Sequence, residues 1–117
     1  MGFLTTHVLD TAQGVPGSNM SVSLYSILDG ERKLLSQQMT NSDGRCDGPL
    51  LKDESFCVGV YELEFAVEAY FKQANVAQPT PAFLSDVTLR FGIAEAGDHY
   101  HVPLLVSPYS YSTYRGS

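Results

Sequence analysis

The chain has little of what marks a membrane, nucleic-acid-binding or disulfide-stapled protein. No apolar run in its 117 residues approaches the roughly 20 that would cross a bilayer. The opening stretch MGFLTTHVLD has neither a basic start nor a long apolar segment, so no secretory signal is read there and a cytoplasmic location is expected. Only two cysteines occur, Cys46 and Cys57, without C-x-x-C spacing, which excludes a disulfide framework, a redox pair and a zinc knuckle. Both are expected to be reduced packing residues. Lys plus Arg number seven against 13 Asp plus Glu, a net charge of -6 with no basic cluster, so the surface cannot neutralise a phosphate backbone. Nucleic acid is not an expected partner, nor is a membrane. No internal repeat, low-complexity tract or linker divides the chain, and residues 1–117 are read as one domain.

What is present is a strand pattern. Alternating or β-branched segments recur near residues 4–10, 20–28, 33–40, 58–68, 85–92, 99–106 and 110–115. They are punctuated by Gln13-Gly14-Val15-Pro16-Gly17, Asp29-Gly30 and Asn41-Ser42-Asp43-Gly44, residues that tolerate positive φ or preset a turn. That succession predicts an all-β antiparallel sandwich or barrel. One short helix is predicted over residues 68–77, ended by Pro79 and Pro81.

The chemistry-bearing residues gather late in the chain. After Asp98 there is no acidic side chain, while HYHVPLLVSPYSYSTYRGS supplies two His, one Arg and four Tyr. His99 and His101 lie two apart and share a strand face. The spacing suits zinc, but a site needs a third ligand, and neither His7 nor the scattered carboxylates and thiols have confirming spacing. No metal and no cofactor are expected. His101 shares its face with Pro103 and Leu105, so an imidazole stands beside an apolar wall, the setting of a general base. The plain alternative is a surface strand histidine. His7 shares a face with Thr5 and Leu9, and Arg45 follows Asp43-Gly44, where a turn could aim its guanidinium into a pocket or simply close a hairpin. Tyr109, Tyr111 and Arg115 have one strand parity, and Ser112, Tyr114 and Gly116 the other. Arg115, Gly116 and Ser117 would matter only if the tail is ordered.

Taken together, His7-Val8-Leu9-Asp10, Gly14-Val15-Pro16-Gly17, Thr40-Asn41-Ser42-Asp43-Gly44-Arg45, Gly59-Val60-Tyr61-Glu62-Leu63, Tyr100-His101-Val102-Pro103 and the run Ser107 to Ser117 resemble the transthyretin-related 5-hydroxyisourate hydrolases. Val106 stands where that family often has leucine, a conservative apolar change. The resemblance implies a transthyretin-like sandwich of two four-stranded antiparallel sheets with one short helix. It also implies a homotetramer, a dimer of dimers, around a central channel. An eighth strand, absent from the pattern above, would be a brief segment near Arg45. The thyroid-hormone carriers of the superfamily have lysine, glutamate and threonine where this chain has His7, Arg45 and His101, and lack the Tyr-Arg-Gly-Ser ending. The resemblance therefore implies the enzyme, with 5-hydroxyisourate as substrate. A carrier of an aromatic small molecule is the alternative, ahead of a noncatalytic interaction sandwich or a zinc hydrolase. In the enzyme reading His101 and His7 position and deprotonate water, and Arg45 stabilises the oxyanion. Ser117 closes the site and Tyr114 sets its width. Arg115 anchors the tail through a carboxylate or carbonyl, with Gly116, Ser112 and His99 in support.

Overall fold

Turn residues cut the chain into short strands, as the sequence leads one to expect. The structure, a computed structural model, describes residues 2–116. In chain order it contains β1 (Phe3–Thr5), β2 (Val8–Asp10), β3 (Val15–Pro16), β4 (Ser21–Leu28), β5 (Glu31–Met39), β6 (Leu51–Lys52), β7 (Gly59–Phe65), α1 (Val67–Gln73), β8 (Val87–Ile93), β9 (His99–His101), β10 (Leu104–Val106) and β11 (Tyr111–Thr113). Among these residues no helix is long and apolar enough to cross a membrane.

One face of the sandwich is an antiparallel sheet in the order β5-β4-β7-β8. Its first hairpin closes on Asp29 and Gly30, both at positive φ (52° and 78°), the geometry of a two-residue primed turn that Asp-Gly adopts readily. The other face reads as two groups of paired strands, β6-β1-β9 and β11-β10-β2-β3. They are halves of one sheet. Thr5 pairs with His101 and Val8 with Leu104 in the same parallel register, and the ladder between them is carried by Val102 N–H to Thr5 O (2.9 Å) and Leu104 N–H to His7 O (2.9 Å). The interruption falls at Pro103, which has no N–H to donate. The predicted strands 4–10 and 99–106 are thus each divided in two, and they run parallel to each other within an otherwise antiparallel sandwich.

Three local expectations are corrected. The eighth strand is not at Arg45, which forms only an isolated antiparallel bridge to His7; the edge strand is β6, seven residues past the end of the Asn41–Gly44 turn. The helix stops at Gln73, well before the prolines. Asn75 takes φ 61° and donates to Lys72 O, while Val76 N–H reaches Phe71 O, so a Schellman-type ending closes the helix locally. Cys57 is exposed and so is not a packing residue, whereas Cys46 packs partly against the core.

The core lies between the sheets and under α1. Leu4, Val8, Val22, Leu24, Leu63, Phe65, Phe71 and Leu104 are fully buried. The helix contributes Val67, Tyr70 and Phe71, the i, i+3, i+4 set of an apolar stripe. Tyr70 also donates its hydroxyl to Asp10 Oδ2 at 2.8 Å, tying α1 to β2. Burial and the neighbouring Asp10 carboxylate push the Tyr70 phenol well above its ordinary range.

Candidate active site

Alternation along β1 and β2 buries Leu4, Thr6, Val8 and Asp10 and leaves Thr5, His7 and Leu9 half-buried on the outer face. On the neighbouring strands His99, His101 and Leu105 hold the same outer face. The parallel register then sets Thr5 beside His101, with His7 one step along. Buried Thr6 turns inward and donates its hydroxyl to Val102 O at 2.6 Å, which stitches the two strands together where Pro103 interrupts their pairing.

Arg45 arrives by a turn. Asn41 Oδ1 accepts from the backbone N–H of Asp43 (2.9 Å) and Arg45 (3.2 Å), and Gly44 N–H donates to Asn41 O (2.9 Å). Gly44 has φ 79°, and a Cβ there would run into Val8 O, so glycine is required on both counts. Val8 N–H in turn donates to Gly44 O at 2.7 Å, fastening the turn to β2. The same turn orients His7, whose Nε2 lies 2.9 Å from Asp43 O. A carbonyl only accepts, so Nε2 carries the proton and Nδ1 is the nitrogen left open in neutral His7.

His101 is held from two sides. Its Nδ1 is 2.8 Å from Thr5 Oγ1, and its backbone pairs with Gly116 through Gly116 N–H to His101 O (2.7 Å) and His101 N–H to Gly116 O (3.3 Å). His99 Nε2 contacts the same Thr5 Oγ1 at 2.9 Å, and the His99 ring stacks on Phe3 with centroids 4.0 Å apart. One nitrogen of each histidine of the H-x-H pair therefore engages the same hydroxyl. Burial first, then the positive charge of Arg45, then His99 and His7, hold the His101 imidazolium below its ordinary pKa. This histidine is thus neutral near pH 7 and able to take up a proton.

These residues border an open cavity of about 380 Å³ lined by Thr5, Arg45, Cys46, Pro49, His99 and His101. Its size falls within the roughly 300–1,000 Å³ typical of small-molecule sites. Among the described residues Arg45 is in no ion pair, in contrast to Arg32 and Arg90 on Glu62 and Arg115 on Asp98. Its charge remains available to an anionic ligand.

The tail divides. Gly116 packs on His101, and Arg115 holds the end in place: its guanidinium covers the Tyr100 ring at 4.0 Å, donates to His99 O at 3.4 Å and lies 3.7 Å from Asp98 Oδ2. Tyr114, 60% exposed, does not reach the His101 cavity within one chain. It lines a second hollow of about 430 Å³ with Arg90, Tyr100, Tyr111, Thr113 and Arg115. The expected parity split of the tail fails because β11 ends at Thr113, after which alternation no longer governs direction. Ser112 lies on β11 opposite Leu105, exposed and away from the cavity. Ser117 lies outside the described residues. Sequence reasoning passed over Thr5 as a site residue; its face was visible, but its contacts depend on a parallel pairing some ninety residues apart in the chain.

The family model described as HIUase/Transthyretin family matches residues 4–116. A 5-hydroxyisourate hydrolase of Ralstonia nicotianae is 59% identical over 117 residues, covering 100% of both chains. Among solved structures, Klebsiella pneumoniae 5-hydroxyisourate hydrolase superposes with a TM-score of 0.82 at 32% identity, covering 100% of each chain. An (S)-allantoin synthase superposes with a TM-score of 0.95 at 48% identity over 99% of this chain, which spans 44% of that longer protein.

Proposed function

This chain belongs to the HIUase/Transthyretin family, and from that premise we infer that its reaction is the hydrolysis of 5-hydroxyisourate to 2-oxo-4-hydroxy-4-carboxy-5-ureidoimidazoline. The observation that carries the enzyme reading over a carrier is the meeting of Arg45 and His101 at one cavity, with His7 bridged to Arg45 beside it. A carrier needs a shaped channel; hydrolysis needs a base, a cation and room for water.

His101 takes a proton from water through Nε2, the nitrogen not bound to Thr5. The hydroxide equivalent attacks the ring amide carbonyl. Arg45 meets the developing oxyanion, where its fork can donate two parallel hydrogen bonds. The C–N bond then breaks, and the His101 imidazolium returns its proton to the departing nitrogen. His7, with Nε2–H fixed on Asp43 O, offers Nδ1 to hold the water or a substrate N–H. Gly116 and Arg115 hold their stretch of the chain against His101, and the closing role in this reading is assigned to Ser117.

Assembly as a tetramer completes this site. The outer face that carries Thr5, His7 and His101 also carries half-buried Leu9 and Leu105, an apolar margin on which a second copy can seat. Strands β8 and β11 end their sheets and are free to pair with the same strands of another copy. Tyr114 would then act on a channel shared between chains. The two cysteines stand as free thiols, in keeping with a cytoplasmic setting. The test follows the decay of freshly generated 5-hydroxyisourate with and without the untagged protein, alongside its mass by sedimentation equilibrium. Accelerated decay by a tetramer is expected. A folded tetramer that leaves the decay unchanged moves the assignment to a carrier.

A further inference from the structure

We propose that Thr5 is a positioning residue for this reaction, and that together with His99 it selects the tautomer in which His101 works as a base. The proposal rests on His101 being the general base, as inferred above. Its geometric ground is that one hydroxyl, Thr5 Oγ1, lies 2.8 Å from His101 Nδ1 and 2.9 Å from His99 Nε2.

A hydroxyl has one proton to give and two lone pairs with which to accept. Thr5 can therefore donate to only one of the two imidazoles. When it donates to His99 Nε2, its bond to His101 is kept only if His101 Nδ1 carries a proton and donates to Thr5. The His101 Nε2 lone pair is then open, the arrangement a base requires. In the reverse arrangement His99 Nε2–H donates to Thr5 and Thr5 donates to His101 Nδ1. His101 then carries its proton on Nε2 and has no lone pair to offer water. The coupling acts through that single proton: a His99 Nε2 that accepts it fixes His101 in the Nδ1–H form, and the Nε2–H form of His101 requires that His99 Nε2 carry a proton of its own.

Two features hold the relay in register. The Phe3 ring lies nearly parallel to His99, 18° between planes, and fixes the direction of Nε2. Arg115 donates to His99 O and Gly116 brackets the His101 backbone, so neither strand residue can drift from Thr5. A hydrogen-bonded partner that sets the tautomer of an active imidazole commonly matters by orders of magnitude, because the wrong tautomer presents N–H where a lone pair is needed.

The experiment combines ¹⁵N NMR of histidine-labelled protein with steady-state kinetics for the wild type, Thr5→Val and Thr5→Ser. Wild type and Thr5→Ser are expected to show His101 protonated at Nδ1. Thr5→Val, which keeps the β-branched shape but not the hydroxyl, is expected to shift His101 toward the Nε2–H form and to lower kcat about 10- to 100-fold with KM little changed. Retention of the Nδ1–H form and of wild-type kcat in Thr5→Val overturns the proposal. Should Thr5→Val fail to fold, Thr5→Ala is read by the same spectra. If the wild type has no hydrolase activity, the function assignment fails, while the nitrogen shifts still decide whether Thr5 sets the tautomer.

Discussion

Adding one methyl group at Gly116 should disable His101 while leaving the fold in place. A Cβ built on Gly116 would stand 2.9 Å from His101 Cδ2, 3.1 Å from its Cβ and 3.3 Å from its Cγ. Comfortable carbon contacts begin near 3.5 Å, so the ring and the tail must separate by about 0.5–0.7 Å. The backbone bonds between the two residues, 2.7 and 3.3 Å, oppose that separation, so the strain falls on the imidazole. Cδ2 is bonded to Nε2, the nitrogen left open by the Thr5 contact, and rotating the ring also stretches the 2.8 Å contact between Nδ1 and Thr5. A misplacement approaching 1 Å commonly costs on the order of 10²-fold in rate. Gly116→Ala is therefore expected to lower kcat by about 10- to 100-fold. Stability should change by no more than the roughly 0.5–1.5 kcal/mol of a strained hydrogen bond. Initial rates of 5-hydroxyisourate decay, read beside a denaturant titration at fixed protein concentration, measure both. A folded Gly116→Ala protein with wild-type kcat would refute the argument that this glycine exists to let the tail lie on His101.

Three further outcomes follow from the structure. Because burial and Arg45 hold the His101 pKa below the ordinary imidazole value, the acid limb of kcat/KM should fall below about pH 6.5 in the wild type. Arg45→Gln removes the second of those causes and leaves burial in place. Its limb should move toward higher pH, with the plateau down about 10²–10³-fold from the lost oxyanion donor, and an unmoved limb in the pH profile would show that Arg45 does not act on His101. Tyr70→Phe, away from the cavity, leaves the 1% exposed Asp10 carboxylate without a 2.8 Å donor. It should cost about 1–3 kcal/mol in a denaturant titration with kcat unchanged, and an unchanged midpoint would mean the bond contributes nothing net.

Much of this was legible in the chain because local chemistry fixed it. Asp29-Gly30 specifies its hairpin, and the Thr40 to Arg45 run carries the Asx turn that aims Arg45. The alternation through His7 correctly put Thr5, His7 and Leu9 on one face. What the pattern could not supply was pairing over distance. Nothing local says that residues 3–10 run parallel to residues 99–106, and only that register joins Thr5 to both His99 and His101. Local rules also failed where a competing local signal was stronger. Asn75 in a Schellman ending stops α1 ahead of Pro79, and β11 ends before Tyr114, so parity misplaced that side chain. Strand β6 was missed because two residues carry no period.

The central claim is that His101 is the base of a 5-hydroxyisourate hydrolase. Its most direct test compares kcat of the wild type and His101→Asn on freshly generated 5-hydroxyisourate, with folding and assembly checked in both. The account predicts acceleration by the wild type and a loss of roughly 10²–10⁴-fold in His101→Asn at unchanged assembly. Equal turnover by the two folded proteins would contradict it.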